Sequence, residues 1–287
     1  MEIGIGLPNP IKGTTGRLLL DWAKRAEESG FSALATIDRI AYPNFDSLTT
    51  LAAAAGATSR IGLTTNILLA PAYPPVLLAK STASLDQLSA GRLTLGLAPG
   101  GRPDDFVAAG RDFHTRGREF NAELDLLHRA WRGEPVAGVD EAVCPRPVND
   151  DRIPILIGGT SDAAIRRTAA WGAGWTAGGA TADVIGSMIK RVRDEWQHAG
   201  RQGEPRLAAL VYFSLGDDAE GASRAYLSDY YAFTGPYAER IAEGALRSDA
   251  AVRAAVRAFS DAGVTELYLD PTGPSLDQVD RLADAVL

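Results

Sequence analysis

The sequence predicts an α/β fold, a (β/α)8 TIM barrel that forms one domain over residues 1–287. Three observations predict it. Short apolar runs of the strand type recur along the chain, segments with helical spacing of apolar residues follow them, and about eight such units fill a chain of this length. An open, doubly wound sheet is the main alternative, because it is built from the same unit.

The first four units follow in order from the N-terminus. Strands are expected at 3–7, 31–37, 61–69 and 93–97. Thr14 or Thr15 can cap the first helix, and Gly30 ends it. Asp46 starts an alanine-rich helix, and prolines 74 and 75 open a third helix. The residues expected on one face of that third helix are Leu78, Ser81, Leu85 and Leu88.

The second half of the chain starts with its least regular region, residues 102–152. An amphipathic helix is expected within it from Phe120, Leu124, Leu127 and Trp131. Further strands are expected at 153–157, around Trp175, at 207–215 and at 264–269. The helix after Trp175 is expected to bury one face, formed by Val184, Ile185, Met188, Val192 and Trp196.

Composition excludes several classes of function. Cys144 is the one cysteine, and the three histidines have no ligand spacing, so neither a disulfide framework nor a metal site is expected. A net charge of -7 argues against nucleic acid as a partner. No apolar run approaches the roughly 20 residues of a membrane span, and residues 1–8 lack a basic signal region, so a soluble cytoplasmic protein is expected.

Two glycine-rich loops follow predicted strands. Residues 96–101 do not match the GxGxxG pattern of a dinucleotide site, but Gly100 and Gly101 allow a ligand to approach the backbone. In the second loop Gly158, Gly159, Thr160 and Ser161 link a strand to a helix. A helix N-terminus there would suit a phosphate, and the alternative is that Ser161 is only the N-cap.

Polar residues also end two of the predicted strands. Thr64, Thr65 and Asn66 lie inside an apolar strand, where they need partners whether they cap the strand or face a ligand. Asp38 and Arg39 follow another strand and form either a surface ion pair or part of a site.

Other candidate residues lie in loops and helices. His114 is the histidine best placed for acid–base chemistry, although a solvated loop position is the alternative. Cys144 is expected to be structural. A group of aromatic residues could wall an aromatic substrate pocket or pack helices: Tyr226, Tyr230, Tyr231, Phe233 and Tyr237.

Five stretches, in order, resemble the bacterial luciferase-like monooxygenase family, whose members use FMN or the deazaflavin F420. They are AEESGF at 26–31, ATSRIGL at 57–63, LAK at 78–80, LDQLSAGRL at 85–93 and PILIGG at 154–159. The resemblance implies a (β/α)8 barrel with an insertion between strands four and five, where residues 102–152 lie.

The resemblance also implies a cofactor site. The family binds a cofactor phosphate after strand five, at the Gly158–Ser161 loop, and touches the cofactor with the loop that contains Ala98, Gly100 and Gly101. It often has a non-proline cis peptide at the end of strand three, which implies such a bond at Asn66-Ile67 beside Thr64 and Thr65. Trp175 completes the expected cofactor-binding set.

Two positions depart from the family pattern. Bacterial luciferase has a phosphate-binding arginine where this chain has Pro99, and Arg102 is a possible substitute. Many F420-using relatives have a histidine beside the deazaflavin where this chain has Arg39. Asp38, Arg39 and His114 are the expected catalytic residues.

The function that the resemblance implies is oxygenation of an organic substrate by reduced FMN and O2. No internal NAD(P)H site is recognised, so a separate flavin reductase would supply reduced FMN, and the family suggests a homodimer. One alternative is an F420-dependent oxidoreductase that transfers hydride without oxygen. The other is a non-catalytic flavin-binding protein.

Overall fold

Eight parallel strands form a closed barrel in the computed structural model, which describes all 287 residues. Each strand pairs with the next, and the last pairs with the first through Ile3 and Leu267, so the open-sheet alternative is wrong. The strands are β1 (Glu2–Gly6), β2 (Ala33–Thr36), β3 (Gly62–Leu69), β4 (Leu93–Ala98), β5 (Ile155–Gly158), β6 (Gly174–Gly178), β7 (Arg206–Phe213) and β8 (Glu266–Pro271).

Helices surround the barrel and cover the outer face of the sheet. They are α1 (Gly16–Ser29), α2 (Ser47–Ala57), α3 (Pro75–Leu88), α4 (Pro103–Ala108), α5 (Arg116–Trp131), α6 (Asp162–Trp171), α7 (Ala182–His198), α8 (Ala219–Tyr230), α9 (Tyr237–Glu243), α10 (Asp249–Asp261) and α11 (Asp277–Val286). None of them is both long and apolar enough to cross a bilayer.

The capping residues read from the sequence set the helix ends. The Thr15 hydroxyl accepts a hydrogen bond from the Leu18 amide at the start of α1, and Gly30 ends that helix with φ of 95°. Asp46 caps α2 in the same way as Thr15 caps α1. The strand limits lie within two residues of the predicted ones, on either side. For example, β2 begins at Ala33 instead of Phe31, because the Phe31 amide donates to the Ala26 carbonyl at the end of α1.

The helix predicted within residues 102–152 is α5, and it ties this insertion to the barrel. Phe120, Leu124, Leu127 and Trp131 are all fully buried, as their spacing predicts. The indole N–H of Trp131 donates to the Ala79 carbonyl of α3. The insertion is therefore anchored by α5 against α3.

Two apolar residues assigned to buried helix faces are exposed instead. Leu88 is the last residue of α3 and is 72% exposed. Val184 is 52% exposed, because the buried stripe of α7 starts one residue later, at Ile185.

The lower part of the barrel interior is filled by side chains, so it offers no channel. Tyr268 packs there with Ala33, Ala35, Leu156 and Ala208. A Cβ at Gly4 would come within 2.6 Å of the Tyr268 ring, so the glycine provides the space for this tyrosine. The open space lies above this layer, at the carboxyl ends of the strands.

Candidate functional site

The carboxyl ends of the strands surround a cavity of about 410 Å³. A cavity at this end of a parallel barrel is where sites of such folds are built. The residues that line it are Ile37, Asp38, Asn66, Ile67, Leu69, Ala98, Pro99, Gly100, Gly101, Arg102, Gly158, Gly159, Ser161, Ala164, Arg167, Thr176, Ala177, Gly178, Leu210, Tyr212, Tyr230, Tyr231 and Phe233. Eight of the expected site residues are therefore on the cavity wall: Asp38, Asn66, Ala98, Gly100, Gly101, Gly158, Gly159 and Ser161.

A cis peptide bond joins Asn66 to Ile67 on the cavity wall, as the sequence led us to expect. Two glycines make room for this segment. A Cβ at Gly158 would lie 3.2 Å from Cγ2 of Ile67, and a Cβ at Gly96 would lie 2.1 Å from the Thr65 carbonyl oxygen. The glycines of β4 and β5 thus allow close packing beneath the cavity.

The side-chain amide of Asn66 has a hydrogen-bond partner for its oxygen but none for its nitrogen. Its Oδ1 accepts a 2.8 Å hydrogen bond from the Thr176 hydroxyl. Its Nδ2 is buried and has no hydrogen-bond partner. A buried donor without an acceptor costs about 1–3 kcal/mol, so this amide is suited to a ligand carbonyl or ring nitrogen in the cavity.

The N-terminus of α6 forms one end of the cavity. The Ser161 hydroxyl accepts from the Ala164 amide, so the N-cap interpretation is confirmed. Capping through the side chain leaves other amides of the first turn facing outward, which is the usual arrangement for an anion site. The two interpretations of Ser161 are therefore compatible.

Arg167, one turn further along α6, adds a positive charge at the same end. It is 8% exposed, and it donates through Nε to Asn121 and through Nη2 to the Gly117 carbonyl. These bonds hold the guanidinium between α5 and α6, where it also lines the cavity. Sequence reasoning missed Arg167, because a basic residue on a surface helix is usually solvated.

Four of the expected cofactor-binding residues do not reach the cavity. Thr160 is exposed on the loop. Trp175 is fully buried behind the wall, where its indole donates to the Gly159 carbonyl at 2.7 Å. Thr65 donates to the Gly96 carbonyl, and Thr64 bonds to the Tyr268 hydroxyl below the cavity. For Thr64, Thr65 and Trp175 the expected contact with a ligand is corrected to support of the wall, because their polar groups are already paired there. Thr160 does not line the cavity because its side chain is exposed on the loop.

Asp38 is the one carboxylic acid on the cavity wall. Its oxygens accept from the Leu69 amide at 3.1 Å and from the Tyr73 hydroxyl at 3.0 Å. Burial raises its pKa to about 6, more than these hydrogen bonds lower it. Asp38 can therefore gain or lose a proton near neutral pH.

Arg39 lies behind the wall and does not line the cavity, so its expected catalytic position is corrected. Its guanidinium is 3.3 Å from Asp104, its Nε is 3.8 Å from Asp105, and it donates to the Tyr230 carbonyl. Only 6% of its side chain is exposed. The surface-pair alternative is also wrong, since Asp105 is fully buried.

Aromatic side chains form another part of the cavity wall. Tyr212, Tyr230, Tyr231 and Phe233 line the cavity, and the hydroxyls of Tyr212 and Tyr231 are 2.6 Å apart. Tyr226 lies behind this wall and Tyr237 is half exposed, so only part of the aromatic group forms the pocket.

His114 is exposed on the insertion and does not line the cavity. Its backbone amide donates to Asp112 in a local turn. Arg116 instead contacts the glycine loop, donating to the Gly100 carbonyl while it stacks 3.7 Å from the centre of the Phe113 ring. His114 therefore lies outside the group of residues that the structure brings together at the cavity.

We expect His114→Ala to leave turnover within about twofold of the wild type, since surface substitutions away from a site have small effects. The measurement is steady-state turnover with saturating cofactor. A tenfold loss would return His114 to the mechanism.

Cys144 lies away from the cavity. The Cys144 thiol donates to the Ala130 carbonyl and its pKa is raised by burial, in line with a structural role. No group of three or more His, Cys, Asp or Glu side chains is arranged to hold a metal ion.

Comparison with known proteins identifies the family. The model of the luciferase-like monooxygenase family matches residues 1–286. An uncharacterised protein of Mycobacterium tuberculosis is 31% identical over 208 residues, which are 62% of this chain and 71% of that protein. The 4-hydroxyprotoasukamycin monooxygenase of Streptomyces nodosus subsp. asukaensis is 30% identical over 210 residues, 64% of this chain and 56% of that enzyme.

Solved structures of low sequence identity share the fold. Monooxygenase RslO1 from Streptomyces bottropensis superposes with a TM-score of 0.82 at 22% identity, covering 100% of this chain and 98% of that one. An F420-dependent secondary alcohol dehydrogenase, in complex with an F420-acetone adduct, superposes with a TM-score of 0.83 at 16% identity. The superposition covers 99% of this chain and 98% of that one. The FMN complex of the oxygenating constituent of 3,6-diketocamphane monooxygenase, from Pseudomonas putida, superposes with a TM-score of 0.72 at 16% identity. The superposition covers 99% of this chain and 95% of that one. With a family match along nearly its whole length, this chain is an enzyme that belongs to the luciferase-like monooxygenase family of oxidoreductases.

Proposed function

We propose that this enzyme is the oxygenating component of a two-component monooxygenase, which uses reduced FMN and O2 to oxygenate an organic substrate. The observation that carries the proposal is the cavity itself. The cavity joins an end suited to phosphate, at α6 and Arg167, to an unpaired amide donor at Asn66 and to a group of aromatic side chains.

The residues present fit a flavin or deazaflavin. The ring would lie against the Asn66–Ile67 segment, where the free Nδ2 can donate to a ring carbonyl or nitrogen. The phosphate would lie at the N-terminus of α6, near Ser161 and Arg167, where the amides and the guanidinium favour negative charge.

Bound reduced FMN would supply two electrons to O2, so that one oxygen atom enters the substrate and the other leaves as water. The chain's own residues orient and protect this reaction. The apolar and aromatic side chains of the wall exclude water from the cavity. Asp38 holds a proton at about pH 6 and can deliver it to, or accept it from, a group in the cavity.

An F420-dependent hydride transfer is the second candidate. It is favoured by Pro99, which stands where bacterial luciferase has its phosphate-binding arginine, and by the F420-dependent relative of the same fold. The residue after Asp38 counts against hydride transfer. Many F420-using relatives have a histidine at this position, whereas this chain has Arg39, which lies behind the wall. A non-catalytic flavin-binding protein is the third candidate. A separate reductase, a homodimeric assembly and a cytoplasmic location belong to the leading proposal.

Anaerobic equilibrium titration with reduced FMN and, separately, with F420 tests the proposal. Binding followed by absorbance or fluorescence is expected to be at least about tenfold tighter for reduced FMN. Tighter binding of F420 would select hydride transfer instead. Binding of neither cofactor would overturn the assignment of the cavity as a cofactor site.

A further inference from the structure

Two arginines and one fully buried carboxylate lie at the aromatic end of the cavity. The side chains of Arg39 and Arg102 are 6% and 11% exposed, and that of Asp105 is 0% exposed. The other acidic contact, Asp104, is 56% exposed and pairs with Arg39. Within the buried part of this cluster, two positive charges therefore face one negative charge.

Arg39 and Asp105 make several hydrogen bonds within the protein, although Nε of Arg39 and Oδ2 of Asp105 have no hydrogen-bond partner. Arg39 donates to the carbonyls of Tyr230 and Ala41 as well as to Asp104. Oδ1 of Asp105 accepts from the amides of Ile40 and Ala41 at 2.9 and 2.8 Å. These bonds use Arg39 and Asp105 to fix the loop after β2 against α4.

Arg102, in contrast, is only loosely paired. Its nearest contact with Asp105 is 3.9 Å, and its Nε is buried without a hydrogen-bond partner. Its guanidinium lies 4.2 Å from the ring centre of Phe233 and 4.8 Å from that of Tyr230. Stacking of this kind holds the planar group in one orientation on the cavity wall.

A second unpaired polar group is on the same wall. The hydroxyl of Tyr230 is buried without a hydrogen-bond partner, and Tyr230 lines the cavity together with Arg102. Burial raises the pKa of Tyr230 more than the neighbouring Arg102 guanidinium lowers it, so the hydroxyl stays protonated and can donate. Asp38, the acidic residue of the cavity, is occupied by the Leu69 amide and the Tyr73 hydroxyl.

We propose that Arg102 and Tyr230 bind an anionic oxygen, carboxylate or phenolate, of an aromatic substrate whose ring packs against Tyr231 and Phe233. This proposal rests on the proposed function, because it assumes that the α6 end of the cavity takes the cofactor and leaves the aromatic end for the substrate. It names the class of substrate: a planar aromatic acid or an acidic phenol.

The test compares charged probes with neutral probes of similar shape. Benzoate is paired with benzamide, and 4-nitrophenolate with nitrobenzene, each titrated into the full chain with and without reduced FMN under anaerobic conditions. Wild type is expected to bind one or both anions at least about tenfold more tightly than the neutral partner, because a hydrogen bond to a charged group is stronger than one to a neutral group. The two pairs distinguish carboxylate from phenolate.

Arg102→Met is expected to remove this preference while FMN affinity stays within about twofold. Arg118→Met is the matched control, because Arg118 is an exposed arginine of the same insertion that lies outside the cavity; it should keep the preference. Arg102→Lys, which keeps the charge without the planar fork, should keep part of it.

Three results would overturn the proposal: equal binding of charged and neutral probes by wild type, a preference that survives in Arg102→Met, or a loss of FMN affinity instead of benzoate affinity in that variant. If Arg102→Met does not fold, the wild-type comparison still decides. A preference for the anions without binding of either cofactor would support the anion site and overturn the proposed function, so the two failures are distinguishable.

Discussion

Replacing Ser161 with Asp is expected to weaken binding of reduced FMN by about tenfold to hundredfold while α6 stays folded. Aspartate caps a helix as well as serine does, so the bond to the Ala164 amide can be kept. The new carboxylate would, however, lie beside the phosphate at the N-terminus of α6. Because Ser161 is exposed, the repulsion is screened to roughly 1–3 kcal/mol, and each 1.4 kcal/mol is a factor of ten in affinity.

The measurement is the anaerobic FMN titration at low and at moderate ionic strength, with Ser161→Asn as the matched control. Asparagine caps the helix without a charge and should retain affinity within about threefold. The loss in Ser161→Asp should shrink as salt is added. Equal affinity of the Asp and Asn variants would remove α6 as the phosphate site.

Asp38→Asn is expected to lower turnover by about a hundredfold or more, the usual contribution of a positioned acid or base. The amide oxygen can still accept from the Leu69 amide, so the wall should keep its shape. The wild-type profile of kcat/KM against pH should show a limb near pH 6, where Asp38 titrates, and the variant should lack it. Steady-state kinetics from pH 5 to 9 checks both effects.

Asp38→Asn is also expected to make the folded protein more stable than the wild type at pH 7. The pKa of Asp38 is raised from about 3.8 to about 6 by folding, so the folded state holds the proton more tightly than the unfolded state. The stability gained from that proton is complete below about pH 4 and is lost as pH rises through 6. Wild type should therefore lose up to about 3 kcal/mol relative to Asp38→Asn between pH 4 and pH 7.

Urea unfolding of both proteins across that pH range measures the difference. Tyr73→Phe provides a further control, because losing the Tyr73 hydroxyl should raise the Asp38 pKa and move the kinetic limb to higher pH. A limb that stays in Asp38→Asn, or one that Tyr73→Phe leaves in place, would contradict the assignment of Asp38.

The barrel was predictable because its signals are local. Alternating or continuous apolar residues define each strand, and caps such as Thr15, Gly30 and Asp46 define the helix ends. The exposed Leu88 shows the limit of such patterns. Spacing identifies a helix face, but it does not show where the neighbouring element ends.

The site was only partly predictable, because it depends on which way each side chain turns. The glycines and Asn66 were found from the sequence. A glycine at a strand end indicates close approach to the backbone, and an amide inside an apolar strand needs a hydrogen-bond partner. Arg167 and Thr176 were not found, because nothing local distinguishes them from surface or strand residues. Their importance comes from partners 46 and 110 residues away in the sequence.

The same limit explains the corrections. Arg39 and Trp175 lie beside residues of the cavity wall, yet their partners hold them away from the cavity. Arg39 bonds to the Tyr230 carbonyl and to Asp104, and the Trp175 indole bonds to the Gly159 carbonyl. His114 follows the glycine loop in sequence, but the turn at Asp112 leaves it on the surface.

A crystal structure of the complex with FMN tests the central claim most directly. We expect the phosphate at the N-terminus of α6 beside Ser161 and Arg167, the ring against Asn66 and Ile67, and the wall at Arg102 left open for substrate. A phosphate bound at Arg102, or a ring placed away from the Asn66–Ile67 segment, would contradict the account.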